Sequence, residues 1–447
     1  MQKRKIINEV SLTDGPIFKR LIWFSLPMIL GNLLQQAYNL TDTLIVGRYI
    51  GSDALGAVGS VYTLMTFLTS VIIGLCMGSG AFFSADFGAE NEKLLREDIS
   101  LSFRFISLVA IVINIAIYPA MNVILALLKT PSELMEMTRD YVTIVFAGIV
   151  FIFIYNFFAF LLRAMGNSAV PLIFLAISTA VNIILDIWFV TSLDMGVKGA
   201  ALATVIAQAV SGIGISIFSI IKLPVLRKKR ENSTKGRLKT IIYGDAATSA
   251  QQSVMNFGIL MIQGLVNSFG TSVMASFAAA VKIDTIAYMP AQEFGNAYSL
   301  FVSQNYGAEK ENRIKSGTKI SFIASAIFCL IASLIICIFP QNLMSLFIDG
   351  DGTEIIAEGV RYLRTEGAMY ICIGFLFLWY GYFRGICKPR ISLILTIISL
   401  GTRVLLSYTL APNTSLGVMA IWLSIPIGWI LADITGFIIY KNCKLKF

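Results

Sequence analysis

The chain has 447 residues, 56% of them hydrophobic and only 14% charged, with a mean hydropathy of +0.77 and a formal net charge of +9. An ordinary soluble domain carries about 25% charged residues, so the composition excludes a soluble protein and points to an integral membrane one. There is no histidine and no GxxxxGK[ST] sequence, which removes the commonest transition-metal ligand and near-neutral proton carrier and leaves nothing that argues for ATP binding.

A spanning helix needs roughly 20 mostly apolar residues, and the chain offers twelve such stretches. The first 16 residues are polar and the apolar segment after them is too long for a signal-peptide core, so no cleaved leader is expected. The first helix, 17–46, carries Pro27 and, at i, i+3, i+7 spacing, the polar stripe Gln35, Tyr38 and Asp42. Helices follow at 53–83, 96–120, 133–163, 167–190 and 196–222. The fifth contains "VNIILDIWFV", where Asn182 and Asp186 are otherwise surrounded by apolar residues, and the sixth contains Thr204.

A basic linker at 223–238 separates this N-lobe, residues 1–222, from a C-lobe over 239–447. The second set of helices is placed at 239–267, 272–303, 312–338, 355–385, 389–411 and 416–441. Lys and Arg concentrate at the N-terminus, at Lys93, Arg96 and Arg163, in the linker, around 310–319 and 384–390, and at the C-terminus. The opposite side has only Arg48, Lys129, Arg139, Lys198, Arg361 and Arg364. By the positive-inside rule both termini and the linker are expected in the cytoplasm of a multi-pass cell-membrane protein. The same bias accounts for the net charge, so no nucleic acid partner is expected. The six cysteines show no CxxC spacing and read as packing residues.

The two halves resemble each other. "FGAENEK" at 87–93 recurs as "YGAEKEN" at 306–312, an offset of 219. Arg163 and Pro119 match Arg384 and Pro340 at a shift of 221, and "GSDALGA" from Gly51 corresponds to "GTSVMAS" from Gly270. Ordered matches near 220 imply two pseudo-symmetric six-helix bundles in parallel orientation, an architecture of two-lobed transporters with alternating access.

Ionisable residues inside a bilayer are costly, at least about 2.5 to 3.5 kcal/mol each on insertion scales, and are functional candidates by default. Asp42 and Asp186 lie at one depth near the outer ends of their helices, Asn182 is one turn from Asp186 on the same face, and Thr204 is within reach. Two carboxylates, a carboxamide and a hydroxyl are hard oxygen ligands for a desolvated Na⁺. A buried carboxylate pair is equally suited to carry H⁺. The shift of 221 carries Asn182 onto Arg403 and Asp186 onto Ser407, so the pair is not duplicated. The C-lobe instead holds Lys282, Asp284 and Glu293 in one helix and Arg403 in another, and Arg403 is expected to pair with Asp284 or Glu293 as an internal ion pair.

"LPMILGNLLQQAYNLTDTLIVGRYIG", the "FGAENE" and "YGAEKE" loops, "LLRAMGNSAVP", "VNIILDIWFV" and "MGVKGAALATVIAQ" together resemble the multidrug and toxic compound extrusion family over essentially the whole chain. The resemblance implies an antiporter, not an enzyme, that exchanges inward-moving Na⁺ or H⁺ for amphipathic, often cationic small molecules. It implies a cation site at Asp42, Asn182, Asp186 and Thr204, a cavity lined by Gln35, Tyr38, Tyr141 and Asn156, and a first-helix proline, Pro27, where bending is in question. A C-lobe Na⁺ site is not expected, because the seventh helix has no acid in its middle. No cofactor is expected beyond the coupling ion, and the partners are membrane lipid and small molecules taken up by a monomer. The alternatives are a flippase for a lipid-linked precursor, which wants a cationic cavity that only Lys282 and Arg403 would supply, and more distantly an intramembrane enzyme or scaffold.

Overall fold

The computed structural model describes residues 11–127, 132–228, 236–348, 352–443 and 445, and among these the chain is helical with no β-strand. The central part of the expected linker, 229–235, and the basic residues of the extreme N-terminus lie outside the described residues. Fifteen α-helices follow in order: α1 (Ile17–Ile45), α2 (Ser52–Gly88), α3 (Glu92–Leu127), α4 (Met135–Ala147), α5 (Ile149–Ala164), α6 (Ala169–Ile187), α7 (Gly196–Lys222), α8 (Arg237–Asn267), α9 (Thr271–Gly307), α10 (Glu311–Ile338), α11 (Pro340–Met344), α12 (Thr353–Gly367), α13 (Tyr370–Gly385), α14 (Pro389–Leu410) and α15 (Val418–Asn442).

Ten continuous helical stretches among the described residues are long and apolar enough to cross a membrane, α4 and α5 forming one of them, and α12 with α13 makes an eleventh if that bent pair is a single span. The difference from twelve lies in α8. Its 31 residues, about 46 Å of helix, have the length of a span, but Asp245, Gln251 and Gln252 dilute its hydropathy.

The straight helix expected over 355–385 is instead two helices bent by 52°. The bend falls where Met369 N–H turns back to the Glu366 carbonyl at 2.9 Å. There Gly367 packs so tightly on Ile336 that a Cβ would come within 2.6 Å of its methyl.

The chain forms two compact units. One contains Leu26–Ser249, the other Leu12–Ser25 together with Ala250–Phe447. The division therefore falls within α1, just before Pro27, and within α8, and the start of each of these helices groups with the opposite half of the sequence.

In the first unit the buried phenylalanines Phe83, Phe153, Phe157 and Phe158 of α2 and α5 meet edge-to-face or tilted, and exposed Phe103 of α3 covers them. In the second, Trp422 stacks on Phe277 and meets Tyr362 edge-on. Small residues bring backbones together there, as expected where lipid supplies no hydrophobic drive between helices. A Cβ on Gly381 of α13 would lie 2.5 Å from the Gly295 carbonyl oxygen of α9. Gly381→Val is accordingly expected to push α9 and α13 apart and to destabilise the protein by about 3 kcal/mol or more, as overpacking against rigid backbone does. Thermal unfolding in detergent checks this, and an unchanged transition temperature would contradict the packing described.

The internal repeat is written in the backbone. Left-handed residues recur in five matched pairs, Gly15 with Gly236, Gly51 with Gly270, Glu90 with Glu309, Gly166 with Cys387 and Gly196 with Gly417, and Asp194 stands outside the pattern among the described residues. The loops after α2 and α9 also repeat bond for bond, with Asn91 N–H to Asp86 O in one and Lys310 N–H to Asn305 O in the other. A non-glycine residue in this region is uncommon and strained, so its recurrence at Glu90 and Glu309 marks a loop shape common to both halves.

Candidate cation-coupling site

The helices that carry Asp42 and Asp186 each end in a π-helical turn. Val46–Ile50 continues α1 and Trp188–Ser192 continues α6, and the two turns touch each other and α7. Such turns widen the helix locally and are frequent at functional sites. Asp42 lies one turn before the first, and Asp186 just before the second.

Asp186 and Asn182 are wholly buried at 0% exposure. Asp42 is half-buried, with its Oδ1 enclosed. The Asp42 and Asp186 carboxyls lie within reach of each other, with Asn182 beside Asp186. Yet neither oxygen of Asp186, nor either polar atom of the Asn182 amide, has a hydrogen bond of normal geometry among the described residues. The Tyr38 hydroxyl is 3.4 Å from the Thr204 hydroxyl, and buried Tyr141 of α4 lies close to Asp42, Tyr38 and Asp186. Six of the residues singled out in the sequence thus converge from α1, α4, α6 and α7.

The remaining expected residues stand differently. Gln35 is half-buried on the same stripe. Asn156 donates its amide N–H to Ile152 O of its own helix at 2.9 Å. Pro27 lies inside α1, which runs through it without a break.

Two adjacent carboxylates can only accept hydrogen bonds from each other's surroundings, and neither can donate. Held together in a medium that hydrates them poorly, they require a shared proton or a bound cation. The oxygen set of Asp42, Asn182, Asp186 and Thr204 fits a small hard monovalent cation; it offers no nitrogen or sulfur donor for a transition metal.

The second unit holds another polar centre, in a cavity of about 100 Å³ lined by Asp284, Glu366, Arg403, Tyr288 and Tyr362 among apolar residues. Asp284 accepts the Tyr370 hydroxyl at 2.6 Å and the Tyr362 hydroxyl at 3.5 Å. The expected four-charge cluster is split. Arg403 shares the cavity with Asp284, but Lys282 is exposed and Glu293 accepts from Asn296 and lies near Arg384. The partition follows helical phase, because Lys282, two residues from Asp284 on α9, faces a different side. Glu366, which as an outer acid of its helix is a poor match for a C-lobe Na⁺ ligand, flanks the bend between α12 and α13 with Tyr362 and Tyr370, which the sequence does not single out. Glu366 stands in a polar helix with Glu358, Arg361 and Arg364, so residue type alone did not single it out, and the bend beside it was not legible.

A helical membrane chain of two like halves, with buried carboxylates in one and a mixed-charge cavity in the other, is the architecture of a two-lobed secondary transporter. The chain matches the MatE family twice, over residues 27–188 and again over 247–409. It belongs to that family, whose members are membrane transporters and not enzymes. It is 29% identical over 441 residues to the probable multidrug resistance protein YpnP of Bacillus subtilis (strain 168), covering 97% of each chain. It is 25% identical over 439 residues to the probable multidrug resistance protein NorM of Thermotoga maritima, covering 96% of this chain and 92% of that one. Among solved structures it superposes on MATE in the bent conformation with a TM-score of 0.89 at 24% identity, covering 97% of this chain and 96% of that one. MATE in the straight conformation gives the same TM-score at 23% identity, with 98% of each chain covered. These likenesses establish the fold.

Proposed function

We propose that the chain is a multidrug exporter that moves amphipathic, cationic small molecules outward in exchange for Na⁺ or H⁺ by alternating access. The cell membrane is its site, both termini face the cytoplasm, α8 completes a set of twelve spans, and the monomer is the working unit. The observation that carries this reading is half-buried Asp42 beside wholly buried Asp186 and Asn182, with Asp42 Oδ1 and both Asp186 oxygens lacking hydrogen-bond partners among the described residues. An inward-moving ion relieves that deficit, and its loss on the inner side restores it, which is the differential affinity that coupling needs.

A flippase for pyrophosphate-linked lipids is disfavoured by charge. In the cavity of the second unit Arg403 is opposed by Asp284 and Glu366, and Lys282 is exposed outside it.

The test is transport in proteoliposomes under separately imposed Na⁺ and pH gradients, with a panel of cationic dyes. Dye movement driven by one of the two gradients is expected. Dye movement that ignores both would overturn the proposal.

A further inference from the structure

At the opposite end of the first unit, the start of α8 crosses α2 at unusually close range. A Cβ on Gly78 would lie 2.7 Å from the Cα of Asp245, so the two backbones meet with no side chain between them. Asp245 is 0% exposed. Its Oδ2 accepts the Ser79 hydroxyl at 2.6 Å, while its Oδ1, turned toward Gly78, has no hydrogen-bond partner among the described residues. Ser249, one turn further along α8, donates to the Val71 carbonyl of α2 at 3.0 Å.

The charges around this crossing do not balance. Arg237 opens α8, and its guanidinium donates to both oxygens of Asp98, at 2.7 and 2.5 Å, and to Asp86 at 3.3 Å. Asp86 and Asp98 are themselves buried. The titratable and charged groups that bear on Asp245 are Cys76 on α2 and Asp98 on α3. The guanidinium of Arg237 is thus engaged by Asp86 and Asp98, and Asp98 sets a like charge beside Asp245.

We propose that Asp245 is a proton-binding site separate from the Asp42 and Asp186 pair, holding a proton while α8 lies against α2 and returning it to water when the two helices part. An ionised Asp245 in contact with Gly78 would be a desolvated charge with one hydroxyl donor and acidic neighbours, which is the costly arrangement for a carboxylate. With a proton on Oδ1 the crossing is neutral at that point. Ionisation and closure thus exclude each other, and the crossing is a proton-dependent fastening of α8. Because α8 continues beyond Ser249 into the second unit, this fastening acts on a helix shared by both units.

Hydrogen exchange of the full-length protein in lipid nanodiscs tests this without requiring transport, so it can fail independently of the exporter proposal. After correction for intrinsic rates, protection of backbone amides over 238–248 is expected to fall as pH rises, by up to about tenfold per pH unit for one linked proton. Asp245→Asn should remove that dependence and keep the segment protected, and Gly78→Ala should leave it poorly protected at every pH. Should Asp245→Asn not fold, Ser79→Ala is expected to move the midpoint of the titration. A flat wild-type profile, an Asp245→Asn or Ser79→Ala profile identical to a sloping wild type, or loss of the slope in Asp42→Asn with Asp186→Asn would each overturn the inference.

Discussion

Asp42→Asn and Asp186→Asn are each expected to abolish ion-coupled export while the protein remains folded and inserted. The amide has nearly the shape of the carboxyl, so packing around α1, α6 and α7 is preserved. The change also removes one of two like charges held together, relieving folding of a burial cost. What is lost is the partner of the travelling cation. Removing one member of a buried charge interaction costs about 3 to 5 kcal/mol, which at about 1.4 kcal/mol per factor of ten lowers ion affinity by roughly two to three and a half orders of magnitude. Efflux under an imposed Na⁺ or pH gradient, alongside thermal unfolding of the purified variants, separates loss of coupling from loss of fold. Undiminished gradient-driven efflux by both variants would refute the assignment of the pair.

The second large effect is expected in the other unit and on stability. Arg403 is the basic residue among the lining groups of the cavity that holds Asp284 and Glu366. Arg403→Met leaves those two acids facing each other with only tyrosine hydroxyls to solvate them, and a destabilisation of about 3 kcal/mol is expected. A second change, Glu366→Gln, removes one of the stranded charges and should recover much of that loss. The double-mutant cycle measured by thermal unfolding reads the coupling directly. Additive single effects would mean that Arg403 and Glu366 do not interact. Because Asp284 keeps its 2.6 Å bond from Tyr370, the cavity should retain its shape in the double variant.

How much of this was legible in the sequence depended on where the physics is local. The positions of the helices follow from runs of apolar residues, and the convergence of Asp42, Asn182, Asp186 and Thr204 followed from depth along the helix and a 3.6-residue period. Both quantities are properties of one segment at a time. The division of the lone charges of α9 was partly readable, since Lys282 and Asp284 cannot share a face. Partners fixed by a bend or by interhelical closeness were not readable. Glu366 meets Asp284 only because α12 and α13 are bent by 52°, and Asp245 is enclosed only because Gly78 lets α8 approach. The π-helical turns after Asp42 and Asp186 likewise have no signature in residue type.

The five pairs of left-handed residues, among them Glu90 with Glu309 and Gly166 with Cys387, bear on the history of the molecule. Where the chain reverses has been kept from a duplicated ancestor, even where a glycine has given way to a cysteine. What each copy carries along its helices has drifted apart, with Asn182 and Asp186 answered by Arg403 and Ser407. Backbone frame and side-chain chemistry have therefore diverged separately, and one frame now bears a pair of carboxylates on one side and a mixed-charge cavity on the other.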